Sequence, residues 1–401
     1  MKSTTNSAVC VLLLAFAGVS LAGWSPQTSG VTSTLYDIEC VGPNQVWAVG
    51  AGGKILHTTN GGTDWSPQTS GTGNDLYGVD FVDSLNGWTA GTGPTIVHTT
   101  DGGASWSPQT AGVSDDLMDI AFGSATRGWC SGVNGAIIGT TDGGTTWSRE
   151  ISGIWGWFWG VTAASPTAAW TIGGDWFNHV SPVYHYNGTS WSHQYDITQD
   201  QNGQDISVVN GNILWAVADN GVIAHSANGG TNWSPQSSGV GYILDGVDAV
   251  SANYCWVVGG NGTILSTASG GTTWVPETSG VSNELFGVSM LDSVSGWACG
   301  AGGRILYRAG GQAVEERRNE ERRNEERGMR NSGASIVRGC LVWSARIGRN
   351  DGVVALHSAE GRKVMELRPG SNDVSGLAAG VYFVMVGTDS GSSTFRFVQV
   401  D

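Results

Sequence analysis

Tryptophan recurs along this chain in two fixed registers, and this repetition constrains the fold more than any other feature of the sequence. The first register ends a Gly-Gly-x-x-Trp turn, with spacings of 41, 41, 41, 44, 42 and 41 residues. The second opens a short apolar run, as at 46–50. The two registers are Trp24, Trp65, Trp106, Trp147, Trp191, Trp233 and Trp274, and Trp47, Trp88, Trp129, Trp170, Trp215, Trp256 and Trp297. They use 14 of the 19 Trp residues, so the chain contains seven copies of one unit.

Each unit contains four short strand-like runs separated by clusters of Gly, Pro and Asn. In the first unit these runs are 24–27, 35–41, 46–50 and 54–58. A four-stranded unit of this size cannot bury its faces alone and must stack radially on its neighbours. The sequence therefore predicts an all-β fold, a seven-bladed β-propeller at 23–311.

The seventh unit lacks an outer strand, because position 314, where its Trp is expected, is Val in a charged segment. The chain has one spare Trp strand, at its start. We predict that residues 24–28 supply the outer strand of the last blade, which closes the ring and leaves no open sheet edge.

Charge is concentrated in the repeat region. Residues 24–314 hold 22 Asp/Glu and five Lys/Arg, a net charge of −17, although the whole chain is at −15. This charge repels phosphate backbones and anionic lipid, so it argues against nucleic acid and acidic membranes as partners. Cations, neutral sugars and basic protein segments remain open.

The two ends of the chain differ from the repeats. Lys2, the apolar run 8–19 and the small residues at 20–22 predict a secretory signal peptide at 1–22, the alternative being a buried N-terminal helix. Residues 312–334 contain a repeated Glu-Glu-Arg-Arg-Asn segment, which predicts a solvated linker. Residues 335–401 contain four strand-like runs, which predict a small C-terminal β-sandwich.

The candidate binding site lies in the fourth unit. The interval between its two Trp registers is 21 residues, against 18 in five of the six complete cases, which places a three-residue insertion in 174–182. The preceding segment, 154–159, holds three Trp residues that the repeat does not require. The candidate residues are Trp155, Trp157, Trp159, Trp176, Asp175, Asn178 and His179. Aromatic rings beside polar groups suit a sugar or an extended peptide. The alternative is packing, with Trp159 in the place that Tyr36, Tyr77, Met118 and Phe286 take elsewhere.

Acidic residues stand before three of the innermost strands. Asp75, Asp116 and Glu284 directly precede Leu residues that begin these strands, and they predict a partial acidic ring at the channel mouth. The ring has two interpretations, a solvated polar rim or a site for a cation or a basic peptide.

The Trp turns resemble the Asp-box of bacterial neuraminidase repeats, most clearly at 99–106 and 140–147. With Leu-Tyr-Gly-Val-Asp-Phe at 76–81 and Gly87-Trp88, the seven units resemble the photosystem II stability and assembly factor family. The resemblance implies a seven-bladed propeller, and in that family an arginine-bearing patch is associated with docking of a photosystem II subunit. Only four Arg occur in this ring.

The tail resembles the C-terminal sorting domain of the type IX secretion system, through Gly-Arg-Lys-Val at 361–364, the run 377–384 and the strand 395–398. This resemblance implies delivery across the outer membrane by its secretion machinery; a generic adhesive sandwich is the alternative.

No arrangement of residues indicates catalysis, a metal site or a cofactor, and the five Cys residues after the predicted signal occur at irregular places. We therefore expect a monomeric, secreted or surface-attached binding or assembly module that presents an acidic and aromatic face to a protein or glycan partner. The alternative is a carbohydrate-active enzyme related to Asp-box propellers.

Overall fold

The computed structural model describes residues 23–151 and 156–309, together with the backbone of seven strands between 333 and 400. Residues 23–309 form seven four-stranded antiparallel sheets. The innermost strand of each sheet contacts the innermost strands of both neighbouring sheets, which closes the set into a ring around a central channel. The fold is a seven-bladed β-propeller, as predicted.

The blades are built from 28 short strands. The first thirteen are β1 (Gly23–Gln27), β2 (Leu35–Cys40), β3 (Val46–Gly50), β4 (Lys54–Thr58), β5 (Ser66–Thr69), β6 (Leu76–Phe81), β7 (Gly87–Gly91), β8 (Thr95–Thr99), β9 (Ser107–Thr110), β10 (Leu117–Phe122), β11 (Gly128–Gly132), β12 (Ile137–Thr140) and β13 (Ser148–Ile151). The others are β14 (Gly156–Ser165), β15 (Ala168–Asp175), β16 (Val180–Tyr186), β17 (Trp191–Gln199), β18 (Gly203–Val208), β19 (Leu214–Ala218), β20 (Val222–Ser226), β21 (Ser234–Ser237), β22 (Leu244–Ala249), β23 (Cys255–Gly259), β24 (Thr263–Thr267), β25 (Val275–Pro276), β26 (Leu285–Met290), β27 (Gly296–Gly300) and β28 (Arg304–Ala309).

Blades one to six each use four consecutive strands, beginning with β2 and ending with β25. Blade seven consists of β26, β27, β28 and, as its outer strand, β1. β1 runs antiparallel to β28, with Gly23 opposite Ala309 and Gln27 opposite Ile305. The predicted closure of the ring by the N-terminal strand is confirmed.

The core consists of apolar layers between adjacent blades. The second-register Trp residues are fully buried in these layers, at 0–1% exposure. Several stack on an aromatic side chain of the next blade: the rings of Trp88 and Phe122 lie 3.7 Å apart, and those of Trp47 and Phe81 lie 3.9 Å apart. Because each second strand is covered on both faces, its residues are buried along the strand instead of alternating between buried and exposed, as in β3, β7 and β11.

At six of the seven blade boundaries, the indole N–H of a first-register Trp donates a hydrogen bond to a Gln or Glu side chain at the outer strand of the preceding blade. At the first of them, the indole N–H of Trp65 donates to Oε1 of Gln27 at 3.1 Å, and Nε2 of Gln27 donates to the Gly61 carbonyl at 3.0 Å. Gly62 has a φ of +85°, and a Cβ on it would overlap the Gln27 amide. The Gly-Gly pair of the repeat is therefore needed both for the turn and for this close approach. The accepting side chains are Gln27, Gln68, Gln109, Glu150, Gln236 and Glu277.

Two of these boundaries use Glu in place of Gln, and an Arg accompanies each. Glu277 accepts from the indole N–H of Trp24 at 2.8 Å and from that of Trp256 at 3.3 Å, and Nε of Arg308 lies 2.9 Å from it. This cluster lies at the ring closure. The equivalent cluster between blades three and four consists of Glu150, Arg127, Trp129 and Trp191.

Four Cys residues of the ring are buried: Cys40, Cys130, Cys255 and Cys299. No helix in the described ranges is long and apolar enough to cross a membrane.

The tail contains two antiparallel sheets. Their strands are β29 (Gly333–Val337), β30 (Cys340–Ser344), β31 (Val354–Ser358), β32 (Lys363–Glu366), β33 (Gly370–Asp373), β34 (Gly380–Thr388) and β35 (Gly391–Val400). One sheet has the order β29-β30-β33 and the other the order β32-β31-β34-β35. Their packing as a sandwich stays a prediction. The predicted signal peptide and nearly all of the linker lie outside the described residues.

The closure makes a prediction about stability. Trp24 is 7% exposed and packs with Trp256 and Leu285, so Trp24→Ala should lower the free energy of unfolding by about 3–5 kcal/mol, through lost burial and a lost indole hydrogen bond. Urea-induced unfolding of the chain measures this change. The matched control is Ser25→Ala on the exposed face of the same strand, which should cost less than about 0.5 kcal/mol. Equal stability of the two variants would contradict closure by β1.

Candidate functional site

Every innermost strand carries a β-bulge at the same position. In β2, Leu35 pairs with Gly50 and Asp37 pairs with Val49, which leaves Tyr36 between them without a partner across the ladder. The same register shift occurs in all seven blades. A bulge redirects the extra side chain, and here all seven extra residues line the channel. We call them the bulge ring: Tyr36, Tyr77, Met118, Trp159, Gln204, Asp245 and Phe286.

The bulge ring lies at one end of a channel of about 2110 Å³. Leu35 begins β2 and pairs with Gly50 at the end of β3. The loops that enter each innermost strand and those between second and third strands therefore share this end, which we call the mouth face. The opposite end is lined by the loops that follow the innermost strands, with residues such as Asp83, Ala125 and Tyr254.

The bulge ring is divided into an apolar part and a polar part. Tyr36 lies 4.9 Å from Tyr77 and 5.7 Å from Phe286, measured between ring centroids, so aromatic contact extends over blades seven, one and two. Gln204 and Asp245 form the polar part, on blades five and six. A ligand that enters the mouth therefore meets aromatic rings on one side and polar groups on the other.

Blade four adds an aromatic surface beside the ring. The rings of Trp157 and Trp159 lie 4.9 Å apart, and those of Trp157 and Trp176 lie 5.2 Å apart. Trp176 is 55% exposed, and its neighbour Phe177 is 78% exposed. We call these four residues the aromatic ledge. Trp155 lies outside the described residues.

The segment that holds Trp157 and Trp159 belongs to the innermost strand of blade four. β14 begins at Gly156, which pairs with Asp175, and Trp157 pairs with Gly174. The insertion in this blade lengthens the β14–β15 ladder, because added residues at an extended hairpin satisfy their backbone groups by pairing. Trp159 occupies the bulge position, as the packing alternative states, and it lines the channel there.

The polar residues of the blade-four insertion shape its turn. The Asp175 carboxylate accepts from the backbone N–H of Phe177 at 2.9 Å, from that of Asn178 at 3.0 Å, and from Nδ2 of Asn178 at 2.8 Å. Nδ1 of His179 lies 3.4 Å from a carboxylate oxygen of Asp200, and both side chains are exposed. Asp175 and Asn178 therefore hold Trp176 and Phe177 in an exposed position.

Two of the predicted acidic mouth residues join neighbouring blades. Oδ1 of Asp75 accepts from the backbone N–H of Gly52 at 2.7 Å, and Oδ1 of Asp116 accepts from that of Gly93 at 2.7 Å. In each case the donor lies in a mouth-face loop of the preceding blade. The third residue, Glu284, stands near Asp245, and its charge adds to the rise in the pKa of Asp245 that burial causes.

A second set of carboxylates, which sequence reasoning missed, joins the blades inside the channel. Asp37, Asp119 and Asp205 each accept a backbone N–H from the next blade, at 2.9, 2.8 and 2.8 Å. Burial raises the pKa of Asp37 to about 8 and that of Asp205 to about 6. Their signal in the sequence is a constant position ten residues before a second-register Trp.

Asp245 is the carboxylate of the bulge ring, and sequence reasoning also missed it. Its Oδ2 is buried and has no hydrogen-bond partner among the described residues. Burial raises the pKa of Asp245 to about 8, with further contributions from Glu284, Asp219 and Asp205. It precedes its second-register Trp by eleven residues, as Trp159 does, so aligned repeats would have identified it. No group of three metal-binding side chains occurs in the described part of the chain.

The Asp245 carboxyl predicts a dependence of stability on pH. Because its pKa is higher in the folded chain than in the unfolded chain, the folded state loses stability as pH rises from about 4 to about 8. Asp245→Asn should raise the melting temperature at pH 8 by at least about 2 °C and leave it unchanged at pH 4. Thermal unfolding at both pH values tests this. Asp64→Asn, an equal loss of charge on the opposite face, should give no such difference, and a parallel response of both variants would contradict the prediction.

Comparison with known proteins places the ring among propellers. Residues 17–110 match the family model described as Photosynthesis system II assembly factor YCF48, which is about a quarter of the chain. No curated protein sequence matches.

Several solved structures resemble the chain over the ring. A structure of YCF48 bound to D1 peptide is 22% identical, with a TM-score of 0.60 over 74% of this chain and 99% of that one. YCF48 from Cyanidioschyzon merolae is 19% identical, with a TM-score of 0.60 over 72% and 99%. A streptogramin B lyase is 16% identical, with a TM-score of 0.59 over 71% and 96%. At these identities the likeness establishes the fold, and the chain is a propeller of the kind that the photosystem II assembly factors have.

Proposed function

We propose that this chain is a non-enzymatic binding or assembly module whose mouth face holds a partner protein. The aromatic ledge is the observation that carries this proposal. Its rings form a continuous contact from the bulge ring to the solvent-exposed turn at Trp176 and Phe177. Large exposed aromatic side chains on a rigid support are typical of protein-binding surfaces.

The construction of the turn supports the same proposal. Asp175 uses both carboxylate oxygens to hold the backbone and side chain of the residues that follow it, so Trp176 and Phe177 are presented by a fixed turn. Exposed aromatic rings that are already ordered lose little conformational entropy on binding. A propeller similar to this one has been solved with a peptide bound, which supports a protein partner.

We further propose that the module acts outside the cell, secreted or attached to the surface. The apolar N-terminal run at 8–19 supports export, and the motifs at 361–364 and 377–384 support delivery by the type IX secretion machinery through residues 335–401. This proposal does not include membranes or nucleic acid as partners, because the net charge of −17 over residues 24–314 opposes both.

A carbohydrate-active enzyme is the second candidate, because an exposed Trp beside a carboxylate also suits a sugar ring. Trp176 and Asp175 provide this pair. The Asp175 carboxylate is occupied by the three hydrogen bonds of its turn, which argues against a role in proton transfer.

Site-specific crosslinking tests the protein-binding function. A photo-crosslinking phenylalanine analogue in place of Phe177 should capture a defined protein at the surface of the producing cell. The matched control is the same analogue in place of Leu85, which is 53% exposed in a loop of the opposite face and should capture none.

Three results would contradict the proposal. They are equal capture from positions 177 and 85, binding to a glycan array with no captured protein, and hydrolysis of any glycoside by the purified chain. The last would establish the second candidate instead.

A further inference from the structure

The mouth face contains a half-buried carboxyl group, that of Asp245, with no ion-pair partner among the described residues. Oδ2 of Asp245 has no hydrogen-bond partner in the described ranges, and the charged groups around it are the carboxylates of Glu284, Asp219 and Asp205. Asp219 is already used, since it accepts hydrogen bonds from Asn202 and Gln204. A buried carboxylate is stabilised most by a cation that brings its own hydrogen-bond donors.

The ring itself does not supply that cation. Arg127, Arg149 and Arg308 form ion pairs with Glu150, Asp115 and Glu277. Nε of Arg304 lies 3.4 Å from Oδ1 of Asn283. None of the ion pairs among the described residues includes Asp245, which leaves this carboxyl group open to a cation from a binding partner.

The surroundings of Asp245 favour an amino-acid side chain over a free metal ion. The described residues contain no group of three His, Cys, Asp or Glu side chains able to bind a metal together. The residue next to Asp245 in the bulge ring on one side is Phe286, which contacts Tyr36. Lysine and arginine place apolar stems and a charged end against such a combination of rings and carboxylate.

Apolar side chains beyond the channel indicate that the partner is larger than one cation. Of the eight large apolar side chains that are exposed among the described residues, four lie on the mouth face over blades four and six. They are Trp176, Phe177, Tyr242 and Ile243. Tyr242 and Ile243 lead directly to Asp245, so apolar surface flanks the carboxylate outside the channel.

We propose that the partner binds through a polypeptide segment that carries a lysine or arginine, whose charged end enters the channel mouth at Asp245 while neighbouring side chains cover the aromatic ledge. This inference rests on the protein-binding function proposed above. It names the chemistry of the partner, and it assigns Asp245 to specificity and the aromatic ledge to contact area.

Two matched peptide libraries test the proposal against the full chain. Both contain random nine-residue peptides, with the central residue fixed as Lys in one and as Gln in the other. We expect enrichment from the Lys library. The best peptide should lose at least tenfold in affinity when its Lys is replaced by Gln, and the complex should weaken as salt is raised.

Protein variants then separate the two proposals. Asp245→Asn should weaken the Lys peptide about tenfold, whereas Asp64→Asn, which removes the same charge on the opposite face, should leave its affinity unchanged. Trp157→Ala should weaken both the Lys peptide and its Gln form, and its thermal unfolding shows whether the ring is intact.

The outcomes are distinguishable. Equal enrichment from both libraries, or full affinity in Asp245→Asn with a loss in Trp157→Ala, overturns the role of the cation and leaves the protein-binding function in place. Full affinity in both variants, or no enrichment from either library, overturns the inference and counts against the mouth face as the binding surface.

Discussion

The ring depends on the hydrogen bond between the indole N–H of a first-register Trp and the outer strand of the blade before it. Each blade alone is a small sheet with two apolar faces, and apolar contact by itself does not determine the angle or the register between sheets. The indole bond requires its Trp and an acceptor three residues after the preceding first-register Trp. At four of the six boundaries the second Gly of the turn makes room for that acceptor, as in Trp65, Gln27 and Gly62. Where these features recur together, they explain why the sequence repeats Gly and Trp.

The same regularity makes the mouth face variable. A bulge at a fixed position turns one side chain per blade toward the channel, so these seven residues can vary while the buried Trp layers between the blades stay the same. Five of the positions carry aromatic residues or Met, and blades five and six carry Gln204 and Asp245. Blade four departs from the repeat to extend the aromatic surface outward. The proposed binding properties therefore come from exceptions to the pattern, and the fold comes from the pattern itself.

The sequence predicted the fold well because repetition and alternation encode burial. Seven blades and closure by residues 24–28 follow from the Trp spacing, and the structure has both. The site was only partly predictable. Trp157, Trp159 and Trp176 were identified as surplus to the repeat, but Asp245 was missed because a bulge leaves no mark in hydrophobic periodicity. The hydrogen bonds of Asp75 and Asp116 were also missed, since their donors, Gly52 and Gly93, belong to the preceding blade and are 23 residues away in sequence.

The outer strand of blade seven has a consequence for the order of folding. Ser25 and Tyr307 meet across 282 residues. The first strand of the propeller, β1, therefore has no partner until its last strand, β28, has been synthesised. Until then blade seven is incomplete. Blades one and six each lack a neighbour, and β1 is an unpaired strand, a state prone to pairing with other chains. Contacts of such long range also make folding slow. The cluster of Glu277, Arg308, Trp24 and Trp256 lies at this last junction, where its hydrogen bonds and ion pair stabilise the closed ring.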